Sequence, residues 1–219
     1  MTALRSGRSA TCAAVFVLAL LFAGLPVRPV LAQSNEIVAE VTRLRGEAEA
    51  VQPGGGRRLA VGAGIFMTDT IRTGADTRIQ IVFRDGTDLV LGDETDFRID
   101  FYDFEEGGGS GTSVFSLVTG VFRMVTGAIA SAGDPSVTIT TPVATIGIRG
   151  TDLWGAQRPN RLRIGLFGGI AVIVTNAAGS VTLTDPGTLT VVTAPDAAPT
   201  PAAEFDPDDL ARVLTTVEF

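Results

Sequence analysis

Along most of this chain, apolar residues recur at every second position. In residues 78–84, Ile79, Ile81 and Phe83 fall on one side, while Arg78, Gln80 and Arg84 fall on the other. Phe97, Ile99 and Phe101 alternate with Arg98 and Asp100, and Leu162, Ile164 and Leu166 alternate with Arg161 and Arg163. A period of two belongs to strands with one buried and one wet face. Glycines at Asp85-Gly86, Gly62-Ala-Gly64 and Ala178-Gly179 predict the turns between such strands. Helical spacing is absent before Asp206. Residues 33–193 are therefore expected to form one all-β domain, long enough to bury a sizeable core.

A weak internal echo adds detail. Leu44-Arg-Gly46, Val118-Thr-Gly120 and Phe167-Gly-Gly169 each pair an apolar residue and a spacer with a glycine, and each leads into an alternating stretch ending in valine. The intervals are irregular, which excludes a solenoid of short repeats. The three glycines are expected where the backbone turns or approaches another strand and has no room for a Cβ. Two packed sheets, partly rolled as a β-sandwich or a squat β-helix-like roll, would bury the apolar faces.

The ends differ in composition. Arg5 and Arg8 precede an apolar run from Ala10 to Leu25, Pro26 and Pro29 follow, and Val30-Leu-Ala32 offers the small residues of a cleavage site. Residues 1–32 read as a signal peptide cleaved after Ala32, with an uncleaved anchor as the alternative. Near the other end, residues 194–203 are rich in proline and alanine, a linker composition that stays extended. Asp206-Pro207-Asp208-Asp209 then supplies an N-cap, a first-turn proline and acids against the helix dipole. A short C-terminal helix is predicted, with Leu210, Val213 and Leu214 as its apolar stripe.

Loss of the leader would narrow the chemistry. The whole chain has no histidine and no lysine, and its one cysteine, Cys12, lies in the apolar run. Residues 33–219 hold 14 arginines against 24 acids, a net charge of −10. Nucleic acid and anionic lipid would repel such a chain. Without imidazole, thiol or amine there is no Ser-His-Asp or Cys-His system, no nitrogen or sulfur zinc site and no Schiff base. A carboxylate-pair hydrolase is the remaining enzymatic route, and no pair stands out. Nine acids between Asp85 and Glu106 raise calcium binding as an alternative, although their spacing matches no EF-hand loop or calcium β-roll repeat. No cofactor or metal is expected.

Two ordered motifs point to a family. Residues 140–152, Thr-Thr-Pro-Val-Ala-Thr-Ile-Gly-Ile-Arg-Gly-Thr-Asp, resemble the signature of FecR domains. Val61 to Gly74, followed by residues 78–91 with Asp85-Gly86-Thr87, is similar to that family's opening half. The resemblance extends over about residues 38–193. It implies a periplasmic β module used in protein contact, sensing or scaffolding, with an envelope protein as partner and no catalysis. The family's namesakes carry a cytoplasmic segment and one membrane span before the domain; here a signal peptide takes that place, so contact with a sigma factor is not expected. Thr141, Pro142, Gly147, Gly150, Asp85 and Gly86 are the motif's structural positions. Arg149, Thr151 and Asp152 are the candidate binding residues, with Arg149 either presented to a ligand on a Gly147–Gly150 turn or paired with an acid such as Asp152.

Overall fold

A computed structural model describes residues 36–107, 111–132 and 136–219. The expected leader and its cleavage site lie outside the described residues. In chain order the strands are β1 (Ile37–Arg45), β2 (Ala48–Gln52), β3 (Gly55–Arg58), β4 (Gly64–Phe66), β5 (Thr70–Thr73), β6 (Arg78–Phe83), β7 (Asp88–Leu91), β8 (Asp96–Phe104) and β9 (Gly111–Val125). After a 3-10 turn at Ala128–Ala132 come β10 (Val137–Thr140), β11 (Thr145–Arg158), β12 (Arg161–Asn176), β13 (Gly179–Leu183), β14 (Thr188–Val192) and β15 (Ala203–Glu204). The helix α1 (Pro207–Val217) closes the order. The alternation read from sequence is observed at Ile79, Ile81, Phe83, Phe97 and Ile99 and at Leu162, Ile164 and Leu166, all buried. It fails at Phe101, which a register shift between Ile99 and Phe101 turns outward to 45% exposure.

All 15 strands belong to one hydrogen-bonded network that does not close. It makes two layers because several strands pass through both. The first half of β9 pairs with β8 and, in parallel, with β10; its second half pairs with β7 and β11. The start of β11 pairs with β10 and its end with β9. The start of β12 pairs with β14 and its end with β13. One layer thus holds β2, β3, β5, β8, β10, β13 and one half of each long strand. The other holds β1, β4, β6, β7, β14, β15 and the remaining halves.

Rings join the layers through the core. Phe83 of β6 lies 5.4 Å from both Tyr102 of β8 and Phe115 of β9, and Phe97 of β8 lies 6.3 Å from Phe122. Aliphatic side chains from both layers fill the space around them as one buried cluster. Burial on this scale supplies most of the driving force, at roughly 25 cal/mol per Å² of apolar surface.

The echoing glycines mark corners. Gly120 has φ +111°, and a Cβ there would stand 2.2 Å from Thr95 Oγ1 and 2.4 Å from Thr95 Cα. Thr95 stitches this corner, since its Oγ1 accepts from Val121 N at 3.1 Å and donates to Val121 O at 3.2 Å. Gly169 has φ +105° and would place a Cβ 2.1 Å from Gly150 O. Thr151 then donates its hydroxyl to Ala171 O at 3.1 Å. Gly46 meets Thr77 in the same way, where Glu47 N donates to Thr77 Oγ1 at 3.0 Å. One glycine and one threonine per corner let a strand change layers without leaving backbone groups unpaired.

Candidate functional site

The Asp85-Gly86-Thr87 and Arg149–Asp152 parts of the two motifs, 62 residues apart in sequence, meet at one end of the sandwich. Asp85 and Gly86 form the β6–β7 hairpin, with Gly86 at φ +84°. The Asp85 carboxylate is buried and accepts from Thr87 N at 3.1 Å, Thr87 Oγ1 at 2.8 Å and Tyr102 OH at 3.2 Å. Burial, and then the Asp85 charge, pushes the Tyr102 phenol well above its ordinary pKa. Gly127 N donates to Thr87 Oγ1 at 2.9 Å, and Ala128 N donates to Asp85 O at 2.9 Å. One residue earlier, Thr126 N donates to Thr151 O at 3.0 Å, and Thr151 N donates to Thr126 Oγ1 at 2.7 Å. Residues 126–128 therefore clamp the Asp-Gly-Thr hairpin to the Arg-Gly-Thr-Asp segment.

That segment is not a turn between two strands. Residues 145–158 are one continuous strand, bent at Gly150 with φ +46°. Gly147 sits in regular pairing with Thr138 and Ile173, so the expected Gly147–Gly150 turn is replaced by a bend in β11. The true turn comes earlier, where Thr141 Oγ1 accepts from Ala144 N at 3.1 Å and donates to Ala144 O at 2.8 Å, with Pro142 exposed at its tip.

The bend separates the three candidate binding residues. Thr151 is buried and spent on the corner. Arg149 lies opposite the buried Ile148, on the outer side of one layer. Asp152 lies on the outer side of the other layer, where Arg123 holds it in a two-point ion pair at 3.0 Å and 2.9 Å. Asp152 is thus the partner of Arg123, not of Arg149. The hydrogen bond to Asp152 raises the Arg123 pKa above its ordinary value.

Arg123 also lines a cleft of about 430 Å³ on this outer face, with Arg43, Gln80, Asp88, Val90 and Val125, and with the end of α1 as the far wall. Gln80 Nε2 donates to Asp88 Oδ2 at 2.7 Å, while Asp88 Oδ1 is buried and takes no hydrogen bond among the described residues. Val125, 42% exposed, borders the opening. Arginines, a carboxamide, carboxylates and valines at an open cleft suit a peptide or protein surface. The side chains that wall it offer no activated nucleophile.

The acids of residues 85–106 are dispersed. Asp96 pairs with Arg72 at 3.0 Å, Asp100 accepts from Arg98 and Ser116, and Glu106 stands 3.9 Å from Arg84. Among the described residues, no three of His, Cys, Asp and Glu gather as a metal site. The most buried acid lies within the Val61–Gly74 motif, at a position where no site was expected. Asp69 is fully buried, accepts from both terminal nitrogens of Arg57 and accepts from Phe66 N at 2.8 Å. Its neighbours in sequence are Thr68 and Thr70, and nothing nearby signals the arginine 12 residues upstream.

The helix docks on the same outer face. Asp206 caps it, accepting from Asp208 N at 3.0 Å and Asp209 N at 3.2 Å. Its buried residues are Val213 and Val217, whereas the expected stripe residues Leu210 and Leu214 are half-buried. No helix among the described residues is long and apolar enough to cross a membrane.

Comparison with known proteins agrees with the fold. Residues 69–172 match the family model described as FecR protein, and this stretch is a FecR domain. The match contains the 140–152 motif and the opening motif from Asp69 onward, and is narrower than the 38–193 expected. Two crystal structures of a candidate anti-sigma factor from Parabacteroides distasonis superpose with TM-scores of 0.51, at 16% and 15% identity. Each superposition covers 65% of this chain and 62% of the other, so the chain spans under two thirds of those proteins. At that identity the likeness is one of fold. No curated protein matches the chain.

Proposed function

We propose that this protein is a non-catalytic module of the bacterial periplasm that acts by protein contact, as a sensor or scaffold in the cell envelope. The observation that carries the reading is the outer-face cleft, where the signature residue Asp152 braces Arg123 beside Arg43, Gln80 and Asp88. A shallow, mixed-charge surface bordered by valines resembles the polar rim and apolar centre of transient interfaces. The family match and the anti-sigma description of the structural neighbours support a regulatory role. The leader-like first 32 residues support export, with Gln33 as the first residue of the exported chain.

The test places a photoreactive residue at Val125 beside the cleft, and a control at Phe101, 45% exposed on β8 in the other layer. The reading expects one discrete envelope adduct from position 125 and none from position 101. No adduct from either position, or the same adducts from both, would overturn it. N-terminal sequencing of the exported protein should begin at Gln33.

A further inference from the structure

The face beneath α1 forms a hydrophobic cluster of its own. Val121, Trp154, Ala156, Val213 and Val217 make it up, with Val90, Phe167 and Phe205 packed around them, and none of these belongs to the core between the layers. We propose that this face is a docking site for an amphipathic helix of a partner protein, and that α1 is the chain's own occupant, displaced when the partner binds. The proposal rests on the protein-contact reading and names the kind of partner.

α1 shows what the face recognises. Two valines four residues apart sit on Trp154 and Ala156. One turn before them Asp209 pairs with Arg163, whose guanidinium lies 5.4 Å from the Trp154 ring and holds the Asp209 carboxyl below the usual carboxylate range. Arg78 donates to Thr215 O, and Trp154 Nε1 donates to Thr216 Oγ1 at 3.4 Å. Past the last turn, the Phe219 ring lies 4.1 Å under the Arg43 guanidinium. A competing helix therefore needs aliphatic residues at i and i+4, a carboxylate at i−4 and an aromatic residue just beyond.

The occupant is suited to leaving. Eleven residues are too few to hold a helix in water without a packing partner. α1 binds as a tethered ligand, and a short tether gives an effective concentration of about millimolar. A partner longer than α1 extends its contact along the cleft that Val217, Glu218 and Phe219 already wall.

Trp154 is the chain's single tryptophan and is 3% exposed under α1, so its emission reports the face directly. In the full chain carrying Val213→Asp with Val217→Asp, Trp154 emission should shift to the red and acrylamide quenching should rise severalfold, while cooperative unfolding of the sandwich persists. Adding a synthetic peptide of residues 205–219 should reverse both changes in the variant. The same concentration should leave the unmodified chain unchanged, because its own helix competes. Loss of cooperative unfolding in the variant would make α1 part of the fold and overturn the proposal, as would a peptide that fails to restore the emission at millimolar concentration. A dimer of the unmodified chain held by exchanged helices would assign the face to self-association and also overturn it. Peptide binding without any adduct at position 125 would fault the protein-contact reading of the cleft and leave the helix-binding face standing.

Discussion

The layer that contains β6, β7 and the end of β9 has two unlike faces. Inward, Ile79, Ile81, Leu89, Leu91, Phe122 and Met124 are fully buried. Outward, the same strands present Arg78, Gln80, Asp88, Val90 and Arg123, which hold a helix on one part and line an open cleft on another. Residues one position apart thus serve different ends. The inner face makes the fold, and the outer face can vary its chemistry without unmaking it.

That contrast can be broken first from the inside. Phe122→Ala removes a ring that faces Phe97 across the layers and should cost about 4 kcal/mol, read as a lower denaturant midpoint. On the outside, Arg123→Ala leaves Asp152 without its two-point partner. The pair is about a quarter exposed, so the expected cost is about 1 kcal/mol after solvent screening. A loss as large as that of Phe122→Ala would show that the outer face also carries the fold.

Acid should act on the helix before the sandwich. The Asp209 carboxyl is held low by Arg163, so its contribution to docking is complete above the unfolded-state value of about 4 and is lost as the pH falls through the lower folded value. Trp154 emission should shift to the red in that acid range, and Arg163→Ala should remove the pH dependence. Weakening of docking on going from pH 5 to pH 8 would rule out the ion pair as its cause. The smallest effect is expected at the cleft mouth, where Val125→Ser should change stability by less than about 0.5 kcal/mol in thermal unfolding.

Which side of a strand most residues face was legible in the sequence, because alternation in stretches such as 78–84 is a local property. The corners were partly legible, since Gly46, Gly120 and Gly169 stood out against their surroundings. Partners were not. Arg123 and Asp152 are 29 residues apart, and Arg57 and Asp69 are 12 apart; each pair exists because of strand order or hairpin geometry, which periodicity does not encode. The helix start could be read from Asp206-Pro207, but its buried face could not. Leu210, Val213, Leu214 and Val217 all fit helical spacing, and only the sheet beneath selects the two valines.

The shared strands also bear on how the molecule comes apart. Because β9, β11 and β12 serve both layers, neither layer can open while the other stays whole. Such a sheet, dominated by distant pairings, is expected to assemble slowly. Once formed, it offers few partly open states for a protease to cleave, so its lifetime should follow its slow global unfolding rate. The glycine–threonine corners thereby give durability to a protein with no disulfide among its described residues.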